Sequence, residues 1–311
     1  MQLGHEGNSG PHLARGALIT SLLVVATACG AASDGEPLAE SSEEVVVGAE
    51  NRVVVRNTTD LPWAAQVAFR SVNDINQTSR CSGALIGKNT ILTAAHCFYK
   101  GDRVGHEQHQ LWKAMPGADY ADNDNTVPVN VYPYGLWDFH SCAVEHYPAA
   151  FKTRYVIDEH DYAVVDISAC PMTTTYQNSL FDDVWYTQSR SDFKTIGIEY
   201  LSLPWPGGNT GLWVTVGGYP VVHPQGWPWP TQVQHSGGMR RKAAPEAYRV
   251  FYPIDLTSGQ SGAPVMVDVG LHPRFHAVAI VTGESFFLGE NYGRAIDSVV
   301  RDFIKAHSVD Y

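Results

Sequence analysis

Three short runs in this chain hold residues suited to acyl-transfer chemistry. The first is Thr93-Ala94-Ala95-His96-Cys97, preceded by Cys81-Ser82-Gly83-Ala84-Leu85-Ile86. Histidine is the side chain best able to take and return a proton near neutral pH. The second is Asp161-Tyr162-Ala163-Val164-Val165-Asp166-Ile167, an aspartate at the mouth of a short apolar strand. An acid so placed can enter the interior and accept a proton from an imidazole. Asp158 and Asp166 compete for that role, although Asp166 suits the far end of the strand and Asp158 the preceding turn. The third is Ser258-Gly259-Gln260-Ser261-Gly262-Ala263-Pro264-Val265, a turn of small residues leading into a strand. A serine hydroxyl attacks a carbonyl only when a base takes its proton, and the oxyanion then needs two converging backbone N–H donors. Gly259 and Ser261 can supply them. A Gly-Ser turn without chemistry explains the third run taken alone, but not the three together.

Such residues need stiff elements to bring them together. Leu85-Ile86-Gly87-Lys88-Asn89-Thr90-Ile91-Leu92 predicts a hairpin whose strands carry Cys81 and Cys97 towards each other beside His96. A disulfide there would pin the histidine. Half of a metal site is the alternative, with His140, Cys142 and His146 as the other half. Further β-branched or aromatic runs between Gly, Pro, Asn and Asp predict strands at 64–69, 83–86, 90–93, 127–132, 162–167, 212–216, 248–252, 263–267 and 277–282. Regular βα alternation is missing, so antiparallel barrels or sandwiches are expected. One helix is expected at the C-terminus, where Ile296, Val299, Val300, Phe303 and Ile304 recur at helical spacing. Residues 98–160 and 203–231 look like elaborated surface loops; the second holds Pro204, Trp205, Pro206, Trp213, Trp227, Pro228, Trp229 and Pro230.

The runs from Cys81 to Cys97, at Asp161 and at Ser261, with Gly218-Tyr219-Pro220, resemble the chymotrypsin-like serine peptidases, in particular the bacterial branch that includes the glutamyl endopeptidases. The resemblance covers roughly residues 45 to 307, in the order His, Asp, Ser. It implies an all-β fold of two antiparallel six-stranded barrels with the site between them, followed by the C-terminal helix. His96 would be the general base, Asp161 its orienting acid, Ser261 the nucleophile, and Gly259 and Ser261 the oxyanion donors. By this likeness Cys81 pairs with Cys97, and Cys142 and Cys170 are left to pair with each other. No cofactor or metal is implied, and the substrates would be proteins or peptides. A silent member of the fold, acting as a binding or adhesion module, is the rival reading.

The departures from the pattern carry information too. Trypsin-like zymogens place Asp just before the nucleophile to receive a new N-terminus, and here that place is Gln260. Asp255 stands where trypsin-like enzymes keep the acid that selects Lys or Arg, while Val281 takes the place of the pocket histidine of the glutamyl enzymes. With Glu284 bordering the pocket, the expectation leans to basic residues at the cleavage site. Asp119, Asp122 and Asp124 alternate in a way that can bind calcium, but they lack the closing Glu of an EF-hand loop, and a solvated acidic loop is expected instead.

Composition bounds the rest. The 311 residues carry 21 Lys plus Arg against 32 Asp plus Glu, a net charge of -11, which argues against a nucleic-acid partner. After Arg15, the apolar stretch from Gly16 to Ala28 is too short to span a bilayer and fits the core of a signal peptide. It ends in Ala26-Thr27-Ala28-Cys29-Gly30, similar to a bacterial lipobox apart from Ala26, so Cys29 is either a lipidation site or lies near an ordinary cleavage site. The expected organisation is a signal peptide over 1–29, an acidic tether or pro-segment over 30–44 and a peptidase domain over 45–311. The product would be a monomer, secreted or lipid-anchored at a bacterial envelope, whose other four cysteines sit in an oxidising setting.

Overall fold

The computed structural model describes residues 52–73, 78–100, 107–123, 127–152, 158–177, 185–199, 210–221, 230–241, 246–270, 274–285 and 290–310. The expected signal segment with Cys29, the acidic stretch 30–44, Asp124, and Pro204, Trp205, Pro206, Trp227, Pro228 and Trp229 lie outside the described residues.

Strands and turns make up nearly everything described, in two main sheets. The first has seven strands in the order Trp137–Asp138, Gln110–Pro116, Gln66–Val72, Thr78–Gly87, Thr90–Thr93, Ala163–Asp166 and Val144–His146, all antiparallel to their neighbours. It curls into a half-barrel and does not close among the described residues. In the second, Val233–Arg241, Thr210–Gly218, Pro264–Asp268, Phe275–Ser285, Glu290–Ala295 and Arg249–Tyr252 pair in turn, and the last returns to the first through Arg240↔Phe251 and Arg241↔Val250. That ring is a closed six-stranded barrel, and closure removes its unpaired edges. The short strand Val53–Val54 pairs alongside it with Gln234 and Val233.

Residue type accounts for the central strands. Thr90-Ile91-Leu92-Thr93 is buried at every position, and Ala163, Val164 and Val165 beside it are buried too, so β-branched and small side chains fill both faces. The hairpin between Thr78–Gly87 and Thr90–Thr93 lies where the sequence predicts it. A Cβ on Gly87 would come within 2.0 Å of an Asp310 carboxylate oxygen. That carboxylate accepts from the Asn89 N–H and the Thr90 hydroxyl, both at 2.8 Å, so a bare backbone lets the C-terminal tail fasten the turn.

The expected surface loop over residues 98–160 is corrected. Gln110–Pro116 is an interior strand of the first sheet, and Trp137, Phe139 and Phe151 are core residues. Leu111, Ala114 and Met115 are buried while Gln110 is exposed and Trp112 and Lys113 are half-buried, which dilutes the strand signal along the sequence. Trp137 stacks on Phe139 and meets Phe193 edge-on. The C-terminal helix is Ser298–His307, capped by Asp297, whose carboxylate accepts from the N–H groups of Val299 and Val300. Its docked face is narrower than the spacing predicts: Val300 and Ile304 are buried, whereas Val299 is 59% exposed. Among the described residues no helix is long and apolar enough to cross a membrane.

Candidate active site

His96 sits on the one-turn helix Ala95–Cys97 that follows the strand Thr90–Thr93. Asp161 lies just before Ala163, the residue paired with Thr93, so sheet register alone brings the two side chains together. The Asp161 carboxylate is 2% exposed and engages His96 twice. Its Oδ1 accepts from the His96 backbone N–H at 2.9 Å, and its Oδ2 lies 2.7 Å from the ring Nδ1. An acceptor on Nδ1 favours the tautomer with the proton there, which leaves Nε2 as the basic nitrogen. The imidazole is 28% exposed and so remains within reach of solvent.

The two competing aspartates have other partners. Asp158 lies in the short helical turn Asp158–His160 and pairs with the Arg249 guanidinium. Burial and then Asp158 push the Tyr292 hydroxyl up to about 12. Asp166 Oδ1 accepts from the Ser168 N–H at 2.7 Å, closing the turn at the far end of its strand.

Ser261 comes from the turn before the barrel strand Pro264–Asp268, and Ser82 of the first sheet ties it down. The Ser82 N–H donates to the Ser261 carbonyl at 2.9 Å, and the Ser82 hydroxyl donates to the Gly259 carbonyl at 2.7 Å. The same hydroxyl accepts from the Tyr219 N–H at 2.9 Å. Ser82 is completely buried, and its place inside the Cys-Ser-Gly run is the one sequence signal that could have singled it out. Two glycines let the turn approach this closely. Gly262 has φ +82°, and a Cβ there would stand 2.0 Å from Thr93 Oγ1 and 2.4 Å from the Ser82 carbonyl oxygen. Gly259 has φ +92°, and a Cβ there would stand 2.6 Å from the Tyr219 carbonyl oxygen.

Within the turn, Gln260, Gly262 and Ala263 donate their N–H groups to the carbonyls of Thr257, Val281 and Gln260. The N–H groups of Gly259 and Ser261 have no acceptor among the described residues. The Ser258 carbonyl accepts from the Val221 N–H at 2.7 Å. Because a trans peptide sets its N–H opposite its carbonyl, this bond turns the Gly259 N–H away from Val221.

Disulfides join Cys81 to Cys97 and Cys142 to Cys170. The first bond sits at the foot of His96 and uses the two sulfurs that, with the imidazole, come within 4.8 Å of one another, so neither is a thiolate free to bind a metal. Among the residues expected near the specificity pocket, Asp255 is fully buried. Its N–H donates to His235 Nδ1 at 3.0 Å and its Oδ2 lies 3.9 Å from that nitrogen. Val281 is buried on the strand Phe275–Ser285 and exchanges backbone hydrogen bonds with Gly262 and Ala263, directly behind the turn that carries Ser261. Glu284 belongs to the same strand, paired with Asn291, and its side chain lies outside the described residues. Asp119 is half-buried, while the side chain of Asp122 is outside the described residues.

The trypsin family model matches residues 50–134, a span that includes His96 and ends before Asp161 and Ser261. A glutamyl endopeptidase of Bacillus licheniformis is 28% identical over 228 residues, covering 71% of this chain and 54% of the relative. A Bacillus subtilis protein named extracellular metalloprotease is 25% identical over 224 residues, covering 71% of this chain and 56% of the relative. The chain thus spans about half the length of the curated relatives it matches. Among solved structures, a Glu endopeptidase in complex with MPD superposes with a TM-score of 0.61 at 19% identity, covering 84% of this chain and 98% of the other. The protease Anisep from Arthrobacter nicotinovorans gives a TM-score of 0.53 at 16% identity, covering 78% of this chain and 95% of the other. The structural likeness is to chymotrypsin-like folds, in agreement with the two-sheet architecture.

Proposed function

We propose that this chain is an exported serine endopeptidase acting through an acyl-enzyme on Ser261. The observation that carries the reading is the double engagement of His96 by buried Asp161, at 2.9 and 2.7 Å, beside a glycine-shaped turn bearing a serine. In the mechanism, Nε2 of His96 takes the Ser261 proton as the hydroxyl oxygen attacks the scissile carbonyl. The Gly259 and Ser261 N–H groups receive the developing oxyanion. Collapse expels the amine, which takes the proton from His96; water then repeats the sequence and releases the acid. Asp161 stabilises the transient imidazolium. An organophosphonate probe is expected to label the protein and to leave Ser261→Ala unlabelled. A well-folded but unlabelled wild type would instead support a silent binding or adhesion module.

Two features support opposite cleavage preferences. Similarity to a protein named glutamyl endopeptidase favours acidic residues. Buried Asp255, with Val281 where the resemblance leads one to look for a pocket histidine, favours basic ones, and the proposal follows these residues. Cleavage of a peptide library after Lys and Arg is the expected result, and cuts confined to Glu would overturn it. Export is supported by the two disulfides, which persist in oxidising compartments. A signal peptide over 1–29, an acidic tether or pro-segment over 30–44, lipidation of Cys29 and a monomeric product complete the proposal. The mass of the mature N-terminal peptide decides between lipidated and free forms.

A further inference from the structure

The turn that carries Ser261 is gripped from a place remote in sequence. Arg52 is 5% exposed and immediately precedes the short strand Val53–Val54. That strand is fixed to the barrel by pairing with Gln234 and Val233, and the Val55 N–H donates to the Gln232 carbonyl at 2.9 Å. One guanidinium nitrogen of Arg52, Nη1, reaches two side chains of the nucleophile turn: Thr257 Oγ1 at 2.8 Å and Gln260 Oε1 at 3.3 Å. Gln260 Oε1 also accepts from the Thr257 N–H at 3.0 Å, and the Gln260 N–H donates to the Thr257 carbonyl at 3.1 Å. Thr257 and Gln260 therefore enclose a tight loop with Arg52 as its buried donor, and Gly259 lies within that loop.

We propose that Arg52 is a positioning residue for acyl transfer, its guanidinium holding the turn Thr257–Ser261 in the shape that aims the Gly259 and Ser261 N–H groups at the oxyanion. The physical reason is that Gly259, at φ +92°, has no side chain to restrict its backbone, so its N–H direction depends on what holds the loop's neighbours. The Ser258 carbonyl is held by Val221 and the Gly259 carbonyl by Ser82, while Thr257 and Gln260 close the loop on each other and Arg52 bonds the side chains of both. A buried cation with fixed donors is suited to that task, since an arginine fork is rigid and strongly hydrogen-bonded. Through the strand Val53–Val54 that anchors it, Arg52 thereby acts on chemistry by way of the turn, without touching substrate.

This inference rests on the peptidase reading, and the test separates the two. The full-length wild type is first shown to be labelled by the organophosphonate and Ser261→Ala to be unlabelled; an unlabelled wild type defeats the peptidase reading and this inference with it. On a labelled background, Arg52→Ala is expected to lose about 100-fold in kcat on a peptide substrate, the size typical of a misplaced catalytic group, with KM changed by less than about threefold. Labelling by the probe should slow in parallel, and a peptide aldehyde, whose tetrahedral adduct uses the oxyanion donors, should bind more weakly by a similar factor. The pH profile of the residual activity should keep the wild-type inflection, because His96 and Asp161 are untouched. Millimolar methylguanidinium should restore part of kcat in Arg52→Ala, which a purely structural loss would not allow. Arg52→Ala that folds and keeps kcat within threefold overturns the proposal. If Arg52→Ala does not fold, Arg52→Lys and Thr257→Val carry the test: reduced kcat with near-normal KM supports it, and wild-type kcat in both overturns it.

Discussion

Asp161 and His96 meet because one carboxylate is asked to satisfy two donors at once, a backbone N–H and a ring nitrogen. A buried carboxylate without such partners would be costly, and an imidazole without an acceptor on Nδ1 would sample both tautomers. Replacing the carboxylate by an amide keeps the shape and loses the charge. Asp161→Asn is therefore expected to fold like the wild type and to lose about 10⁴-fold in kcat, measured on a peptide ester in parallel with a thermal melt. A loss of less than tenfold would detach Asp161 from the chemistry. At this scale the sequence told a good deal: histidine, aspartate and serine stood in recognisable runs. It could not tell Asp161 from Asp158 by type, because the choice depends on where Arg249 and Tyr292 lie, and these belong to the barrel far along the chain. Ser82 was hidden for the same reason, since a serine between cysteine and glycine gains meaning only when the Ser261 turn arrives beside it.

Among the elements, the turn Ser258–Gly262 shows how little room the site leaves. Gly262 combines a positive φ with an approach to Thr93 and Ser82 that a methyl group would block. Gly262→Ala is expected to destabilise the protein by more than the roughly 1 kcal/mol of an ordinary strained glycine replacement, because the clash is with backbone and with a bonded hydroxyl. A denaturant midpoint close to that of the wild type would contradict this. Strands rich in Ile, Val and Thr were legible as strands, Thr90–Thr93 to the residue. Gln110–Pro116 was not, because the interior strand of a curled sheet carries half-buried Trp112 and Lys113 that blur the alternation. The C-terminal helix was found at its true place, while the exposure of Val299 depends on which neighbour it faces and not on its spacing.

Across the whole molecule, the helix returns to the first sheet and creates a contact that titrates. His146 of the strand Val144–His146 stacks on His307 of the helix, with ring centroids 4.4 Å apart, and His307 also leans on Phe303. Burial first, and then His307, hold the His146 imidazole below its ordinary value, while Asp166 partly opposes the shift. A histidine depressed in the folded state binds fewer protons than in the unfolded chain, so its contribution to stability falls as pH drops below about 6.5 and levels off beneath the folded value. Neighbouring Glu145 is raised by burial and acts in the opposite sense, in the window that runs from its raised folded value down to its unfolded value. The unfolding midpoint is expected to fall from pH 7.5 to 5.5 and to fall less steeply in His146→Gln; equal slopes in the two proteins would remove this contact as the cause.

What the sequence determined by itself was residue type and class: an antiparallel β protein with a histidine, an aspartate and a serine in recognisable runs in that order, and four cysteines after Cys29. These are local properties, carried by residue type and by spacing within a few turns of chain. Only the tertiary structure decided that the first sheet stays open among the described residues while the second closes, and that residues 98–160 hold a core strand. It also brought Arg52 to Thr257 and Gln260 across more than two hundred residues. Contacts of that kind follow from how sheets curl and which faces they bury, and no window of sequence contains both partners.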